Sequence, residues 1–418
     1  MRAHLGLSEC LRKSSIAYEE QSSKMSAELE QALAQGVKDG KVPHAIVYAT
    51  TKDGSFTYNH ATGYQHFGKD EEQIQEDALL MLASASKLLT VISALKAVEL
   101  GFIGLDDDVT PHLPELGSKQ ILTGFDDSDK PIYKDRKNPV TLRQLLLHSS
   151  GHTYGFHPNI MKYEASRGKA PGAYALQATI PERYDTPLAF EPGTSWSYSP
   201  GLDWTGLLIH RLTGLTLDEF EKKHFWDPLG ISDITFWPGE ERKKSKVPQL
   251  AVRGADGKLA PSDEDTINTH STECFGGHGA YASMADYLKV LHSLLRNDGK
   301  LLKPESVDEL FRPQLGDDSK AALNFFVKQA HTMLPGEWNP EIPTDYALGG
   351  IVFLEDDVGR RKKGTLAWSG LFNPVWYIDR ESELAFCFGT QVLPPGDAGC
   401  KEISGLAEKA VYKMAGKA

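Results

Sequence analysis

The feature that most constrains this chain is a short polar sequence, Ser84-Ala85-Ser86-Lys87, which stands directly before a helical pattern. Apolar residues then recur every three or four positions until Gly101 ends the pattern. These apolar residues are Leu88, Val91, Ile92, Leu95 and Val98. The spacing predicts an amphipathic helix with Ser84 and Lys87 one turn apart, on the same face, at or near its N-terminus.

A serine in this position is a candidate nucleophile. The unpaired N–H groups and the dipole of a helix N-terminus favour developing negative charge, and a neutral lysine one turn away can accept the hydroxyl proton of Ser84. The alternative is an ordinary serine in a helix-cap region, because the same S-x-x-K spacing recurs at Ser93/Lys96 and Ser166/Lys169. Ser93 falls in the middle of the helix, where we expect its hydroxyl to bond back to a carbonyl one turn earlier.

Composition excludes several classes of partner. A formal charge of −12 argues against a surface for nucleic acid or for an anionic membrane, so we expect small-molecule partners. No stretch has the apolar length of a membrane span and the first residues are polar, which predicts an intracellular, cytoplasmic protein. The four cysteines, Cys10, Cys274, Cys387 and Cys400, lack C-x-x-C spacing and are predicted to be buried free thiols.

No metal or cofactor is expected. The sequence contains no H-E-x-x-H motif and no G-x-S-x-G nucleophile elbow. The glycines around Gly277-His278-Gly279 imitate part of a dinucleotide fingerprint, but no clear strand precedes them, and we interpret them as a close-packed turn. His148 and His152 are possible bases, although a histidine beside a helix end is more often a cap or a hydrogen-bonded core residue.

The order of helical and strand-like segments predicts an α/β (α+β) fold that is split in sequence. Strand-like runs occur near residues 44–50 and again at 348–354, 365–368, 375–378 and 384–390, while the middle of the chain is rich in helices, glycine and proline. We therefore predict a poorly ordered segment (1–25), an α/β domain with a central antiparallel sheet (26–105 plus 300–418) and a mainly helical insertion (106–299).

A tyrosine in a turn-rich loop is the second candidate for chemistry. Residues 190–200 place Tyr198 among glycine, proline and serine. If a nearby ammonium lowers the pKa of this phenol, Tyr198 can accept the proton of Ser84 and later return one to a leaving alcohol. The alternative is a loop tyrosine that packs on Trp196 or Trp204.

The third candidate is a strand that ends in small residues, residues 364–371. Glycine there lets a substrate approach the backbone closely, and an acyl transfer needs N–H donors around the developing oxyanion. The amides of Ser84 and Leu371 are the pair that we expect to form this oxyanion hole. The alternative is an edge strand with a bulge.

Together these elements, in this order, resemble the serine β-lactamase and penicillin-binding protein superfamily and, within it, the class C-like esterases and acyltransferases. Residues 140–151 look like the helix before that family's site, and residues 276–283 resemble its glycine-rich turn. The similarity is closest to the fungal lovastatin-type acyltransferases and runs from about residue 26 to 415. It implies a β-lactamase-like fold, a Ser84 nucleophile, Lys87 and Tyr198 as the base system, and Leu371 as an oxyanion donor.

Two departures from that family bear on the substrate. Class C β-lactamases usually have asparagine two residues after the tyrosine and Lys-Thr-Gly on the strand, where this chain has Pro200 and Trp368-Ser369-Gly370. The loss of an amide and an ammonium favours an ester or thioester with an apolar part over a lactam. Candidate substrate-binding residues are Trp368, Ser369, Gly370, Phe372, Trp376 and Tyr154, although the aromatic ones are more often simply core.

The function predicted from the sequence is transfer of an acyl group, through an acyl-Ser84 intermediate, from an ester or thioester to a secondary-metabolite alcohol. An acyl carrier protein domain is a possible donor. A carboxylesterase or lactonase, with water as acceptor, would use the same residues. A β-lactamase and a non-catalytic scaffold that kept the fold are the remaining alternatives.

Overall fold

A seven-stranded antiparallel sheet joins the two ends of the chain. The computed structural model describes residues 21–66, 72–168, 177–262, 268 and 270–417. Its strands are β1 (His44–Thr51), β2 (Thr57–Gly63), β3 (Leu80–Met81), β4 (Ile121–Phe125), β5 (Pro131–Lys134), β6 (Ile234–Thr235), β7 (Leu250–Arg253), β8 (Leu259–Ser262), β9 (Tyr281–Ala282), β10 (Thr344–Ala347), β11 (Gly350–Phe353), β12 (Leu366–Ser369), β13 (Val375–Asp379), β14 (Leu384–Gly389) and β15 (Val392–Leu393). The order in the large sheet is β10-β11-β12-β13-β14-β1-β2.

The centre of this sheet is built from strands that are distant in sequence. All eight residues of β1 are buried, and β1 pairs on one side with β2 and on the other with β14. The register places Tyr48 opposite Cys387. The predicted antiparallel sheet that unites both ends of the chain is thus confirmed. Burial on both faces explains why β1 is apolar almost throughout rather than alternating.

Helices cover the sheet on both faces and fill the middle of the chain. They are α1 (21–38), α2 (Ser86–Glu99), α3 (Pro114–Gly117), α4 (Leu142–Leu146), α5 (Pro158–Ser166), α6 (Ile180–Arg183), α7 (Gly201–Thr213), α8 (Leu217–Glu221), α9 (Asp227–Leu229), α10 (Glu240–Lys246), α11 (Met284–Arg296), α12 (Pro304–Phe311), α13 (Asp317–Ala330) and α14 (Ala398–Met414). A π-helical turn, Lys222–Trp226, joins α8 to α9.

Two helices define the faces of the sheet. The Cys387 thiol of β14 contacts the Met284 carbonyl at the start of α11, and the Tyr412 hydroxyl of α14 donates to Asp379 of β13. Glu408 of α14 also forms a fully buried ion pair of 2.6 Å with the guanidinium of Arg361. The sheet is therefore the middle layer between α11 and α14.

The sequence predicts an amphipathic helix after Ser84, but the helix in the structure has no polar face over most of its length. Every residue of α2 from Ser86 to Leu95 is buried, because α2 packs against α7 and α8 and forms the centre of the helical region. A helix surrounded by other elements loses its polar face. The position of its N-terminus, directly after Ser84, agrees with the prediction.

Some sequence-based boundaries differ from the structure. The predicted strand 348–354 starts only at Gly350, because Leu348 and Gly349 form the turn of the hairpin between β10 and β11. The segment 1–25 was predicted to be poorly ordered; residues 21–25 already belong to α1, and residues 1–20 lie outside the described part. The two-part domain division stays a proposal, with α2 packed among the helices of 106–299 and α11 packed on the sheet. In the ranges that the structure covers, no helix is long and apolar enough to cross a membrane.

Candidate active site

Ser84 lies in a sharp turn between β3 and α2. It occupies the middle of a 3₁₀ turn, Ala83–Ala85, and is half-buried. Ala83 has a φ of 47°, a left-handed conformation that costs an alanine energy and marks a turn held in place by its surroundings. The turn projects the Ser84 hydroxyl from the helix N-terminus. The competing Ser93 hydroxyl bonds to the Leu89 carbonyl at 2.9 Å, as predicted for a structural mid-helix serine. Lys169, of the third S-x-x-K match, lies outside the described residues.

The Lys87 amine is buried and lies close to three oxygen atoms. Its Nζ lies 2.7 Å from the Gly277 carbonyl oxygen, 3.4 Å from the Ser84 hydroxyl oxygen and 3.4 Å from the Tyr154 hydroxyl oxygen. An ammonium group has three N–H donors, so these contacts match its full capacity. The structure therefore brings Ser84 and Lys87 together as the sequence predicts, and adds Tyr154 and Gly277.

Two neighbouring tyrosine rings lie beside the lysine, with their centres 5.2 Å apart. The Lys87 Nζ lies 4.7 Å from the ring centre of Tyr198 and 5.2 Å from that of Tyr154. Tyr154 donates its hydroxyl proton to Asp203 at 2.7 Å, and burial together with that carboxylate raises the pKa of Tyr154 well above its usual value. The buried Tyr198 hydroxyl has no hydrogen-bond partner within the described ranges. Of the two phenols, only that of Tyr198 is uncommitted.

Asp203 accepts hydrogen bonds from two of the residues that surround Lys87. This fully buried carboxylate of α7 accepts hydrogen bonds from the Tyr154 hydroxyl and, at 2.8 Å, from the Gly277 N–H, while His278 Nδ1 lies 3.3 Å away. Burial alone would raise the pKa of Asp203, but His278, Lys87 and Tyr154 outweigh it and lower the pKa. Sequence reasoning missed this role. The only available sign was a carboxylate inside an apolar helical run, since aspartate is rarely buried unless it is paired.

Glycine at the end of β12 lets this strand touch the turn that carries Ser84. A Cβ atom at Gly370 would overlap the carbonyl oxygen of Leu82, and it would also lie 2.8 Å from Pro374 Cγ. The next residue, Leu371, packs its side chain in the same small apolar cluster as Ala83. Its backbone N–H donates to no acceptor in the part of the chain that the structure describes.

Aromatic side chains in contact with one another form a surface near Lys87 that we call the aromatic wall. Its members are Phe156, Tyr198, Trp368 and Phe326. The Trp368 ring centre lies 5.3 Å from that of Tyr198, and Phe156 lies 6.3 Å from Tyr198 and 6.0 Å from Phe326. Phe156 is 56% exposed, so it stands at the rim, whereas Trp368 is 4% exposed. The aromatic contacts therefore extend from the exposed Phe156 ring to the ring of Tyr198.

Three other residues that the sequence predicts to bind substrate are buried in the interior of the protein. Phe372 is fully buried with Met81 and Tyr281, and Ser369 is buried within β12. Trp376 lies directly opposite Trp368 on β13, so both point to the same face of the sheet, but Trp376 is 1% exposed. Packing gives Phe372 and Trp376 a sufficient structural role, and substrate contact by either stays a prediction.

Three of the four cysteines lie in the described part of the chain. Cys274, Cys387 and Cys400 are buried and free, while Cys10 lies outside the described residues. Among the residues whose placement is described, no group of three or more His, Cys, Asp or Glu side chains is arranged to hold a metal ion.

Comparison with known proteins agrees with this fold. The family model described as Beta-lactamase matches residues 29–409. The lovastatin esterase of Penicillium rubens is 38% identical over 377 residues, which cover 88% of this chain and 94% of the esterase. The monacolin J acid methylbutanoyltransferase of Aspergillus terreus is 35% identical over 400 residues, with 92% and 95% covered.

Solved structures also match nearly the whole length of this chain. The LovD6 mutant of the simvastatin synthase LovD, from Aspergillus terreus, superposes with a TM-score of 0.85 at 33% identity, covering 93% of this chain and 95% of the synthase. The relatives therefore match nearly the whole chain rather than one motif. On the sequence match and the fold, the chain belongs to the β-lactamase family.

Proposed function

We propose that this protein is a serine acyltransferase, a transesterase that moves an acyl group from an ester or thioester to a small-molecule alcohol through an acyl-Ser84 intermediate. The observation that carries the proposal is the arrangement around Lys87, whose amine contacts the Ser84 hydroxyl at 3.4 Å and lies over the ring of Tyr198, the tyrosine with an uncommitted hydroxyl. The proposed nucleophile, Ser84, therefore lies next to Lys87 of the proposed base system.

Acylation follows from these contacts. Tyr198, acting with Lys87, takes the Ser84 proton while Ser84 Oγ forms a bond to the donor carbonyl carbon. The bond from that carbon to the leaving alcohol or thiol then breaks, and the leaving group receives the proton. Tyr154 does not serve as the base in this scheme, because its proton is bonded to Asp203.

The oxyanion formed during this step needs donors. The N–H groups of Ser84 and Leu371 supply them in our proposal, because a 3₁₀ turn leaves its first N–H groups unpaired and the Leu371 N–H has no acceptor within the described chain. The contact between Gly370 and Leu82 brings the two segments together.

The acceptor decides between transfer and hydrolysis. If an alcohol attacks the acyl-Ser84 carbonyl, its proton passes to the base and Ser84 is released as the new ester forms; with water the product is an acid. The aromatic wall favours an apolar alcohol, because apolar surface is buried when such a molecule binds beside Tyr198. Similarity to several named acyltransferases, including those of Aspergillus terreus and Penicillium citrinum, supports this choice.

The esterase remains the second candidate, because the lovastatin esterase of Penicillium rubens is 38% identical to this chain. An acyl carrier protein as donor and a cytoplasmic location remain predictions from the sequence. Small-molecule esters are the substrate class that the names of the relatives support.

Partition of a preformed acyl-enzyme tests the function. Enzyme acylated with a short-chain p-nitrophenyl ester is mixed with buffer or with increasing concentrations of an apolar polycyclic alcohol, and the mass of the protein and the products are followed. Discharge that accelerates with alcohol and gives the new ester supports transfer; discharge by water alone would make the protein an esterase. Phe156→Ala should raise the hydrolysed share by opening the wall, whereas Phe325→Ala, 69% exposed on α13, is the matched control.

A further inference from the structure

His148 occupies an unusual backbone position beside the proposed base. It follows α4 by two residues and is fully buried, and its φ of 57° lies in the left-handed region. A non-glycine residue in that region costs roughly 1 kcal/mol, so its surroundings must hold it there. The sequence predicts that His148 is a helix cap or a hydrogen-bonded core residue. The structure shows that it bonds the loop that carries Tyr198.

The hydrogen bonds of His148 fall on both sides of Tyr198. Its backbone carbonyl accepts from the Ser197 N–H at 3.0 Å, and its ring Nδ1 accepts from the Ser199 N–H at 3.2 Å. Ser199 Oγ lies 2.9 Å from the same Nδ1. On the other side of the loop, the Tyr154 N–H donates to the Tyr198 carbonyl at 3.0 Å. Hydrogen bonds therefore hold this loop at three consecutive residues, Ser197, Tyr198 and Ser199.

These contacts fix the tautomer of the imidazole. Because the Ser199 N–H can only donate, Nδ1 must carry a lone pair and the ring proton must sit on Nε2. The Nε2–H then donates to the Tyr346 hydroxyl at 3.2 Å. A protonated ring, or the other tautomer, would place two hydrogens against each other at Ser199.

The surroundings also keep the ring neutral. Burial, and next the charge of Lys87, hold the pKa of His148 well below its usual value, against a smaller opposing effect from the Asp203 carboxylate. The phenols of Tyr198 and Tyr346 lie against the ring, with ring centres 4.9 and 5.2 Å away.

We infer that His148 is the positioning residue for Tyr198: its main-chain carbonyl and Nδ1 hold the loop on both sides of the tyrosine, and its ring sets the angle at which the phenol faces Lys87 and Ser84. This inference rests on the proposed function, in which Tyr198 belongs to the base system. His148 itself touches neither the nucleophile nor the amine in this account, and so it acts only through Tyr198.

Three variants separate this role from simple core packing. Asparagine in His148→Asn tolerates a left-handed backbone and offers an oxygen near the position of Nδ1, so it should keep the rate of Ser84 acylation within about tenfold of wild type. Glutamine in His148→Gln places its polar atoms nearer to Nε2, and we expect a loss of roughly 100-fold in the acylation rate with KM changed less than roughly threefold. Tyr346→Phe, which removes only the Nε2 partner, should change the rate less than about threefold.

A double variant gives the sharpest test. If His148 acts through Tyr198, then His148→Gln should lower acylation no further once Tyr198→Phe is present, whereas general damage to the site would lower it again. Additive losses, or equal losses in His148→Asn and His148→Gln at equal thermal stability, would overturn the inference while leaving the acyl-Ser84 of wild type intact. Absence of acylation in wild type would instead overturn the proposed function.

The tautomer can be measured on the wild-type protein without any activity. Nitrogen-15 NMR of the imidazole should show a non-protonated Nδ1 and a protonated Nε2 for His148 at neutral pH. A proton on Nδ1 would contradict the inference directly, even if the variants failed to fold.

Discussion

Tyr154 and Asp203 share a hydrogen bond of 2.7 Å in which the phenol is the donor. Because Tyr154 uses its proton there, only its oxygen lone pairs face Lys87, from which they are separated by 3.4 Å. Tyr198, whose ring centre lies 5.2 Å from that of Tyr154, has no such partner within the described ranges. The two ring centres lie at similar distances from the Lys87 amine, 5.2 and 4.7 Å, but the two hydroxyls differ in their hydrogen bonds.

Replacing each of these tyrosines by phenylalanine should therefore give unequal effects. Tyr198→Phe removes a member of the proposed base system and should slow acylation by roughly 100-fold or more, whereas Tyr154→Phe removes one acceptor of Lys87 and should cost about tenfold. Burst kinetics with a p-nitrophenyl ester would measure both rates. Equal losses, or a greater loss for Tyr154→Phe, would reverse the assignment.

Gly370 should not tolerate a methyl group. In Gly370→Ala the new Cβ overlaps the Leu82 carbonyl oxygen, so β12 must move away from the turn that carries Ser84. We expect a loss of about 1–3 kcal/mol in stability and a larger relative loss of acylation. The matched control is Gly316→Ala, where a Cβ meets nothing within 4 Å and φ is −68°. Similar melting temperatures and rates for both variants would show that the contact is unimportant.

A buried histidine should make the fold sensitive to acid. Burial lowers the pKa of His44 to about 4, while its Nδ1 lies 3.1 Å from the Tyr64 carbonyl oxygen. An unfolded chain binds a proton near the ordinary pKa of about 6.5, so stability is full above that pH and falls as the pH decreases toward 4, by up to about 3 kcal/mol for this group.

Urea unfolding at about pH 7 and at about pH 4.5 measures this dependence. His44→Asn removes the titrating ring and should reduce the loss of stability between the two pH values, whereas the exposed His112→Gln serves as the control. A dependence that His44→Asn leaves unchanged would assign the acid sensitivity to other groups.

The sequence predicted those features that depend on local pattern. The strands near residues 44–50, 365–368, 375–378 and 384–390 were correct to within a few residues, since apolar periodicity and flanking turn residues specify them. The hairpin at Leu348 and Gly349 was missed, because a continuous apolar run conceals a two-residue turn. The polar face expected for α2 was absent, because burial by α7 and α8 is a tertiary effect.

For the site, spacing along the chain showed which residues to consider but not how they are bonded. Ser84 and Lys87 lie one turn apart in sequence, whereas Tyr154, Asp203 and Gly277 meet only through the fold. No local pattern distinguishes a tyrosine that donates to a buried carboxylate from one that does not. The role of His148 likewise depends on a loop about fifty residues away.

The acyl-Ser84 intermediate is the central claim, and intact-protein mass after mixing with a short-chain p-nitrophenyl ester tests it most directly. The wild type and the control Ser93→Ala should gain one acyl mass, located by peptide mapping on the peptide that contains Ser84, whereas Ser84→Ala should gain none. Equal adducts in wild type and Ser84→Ala, or an adduct mapped to another residue, would contradict the account.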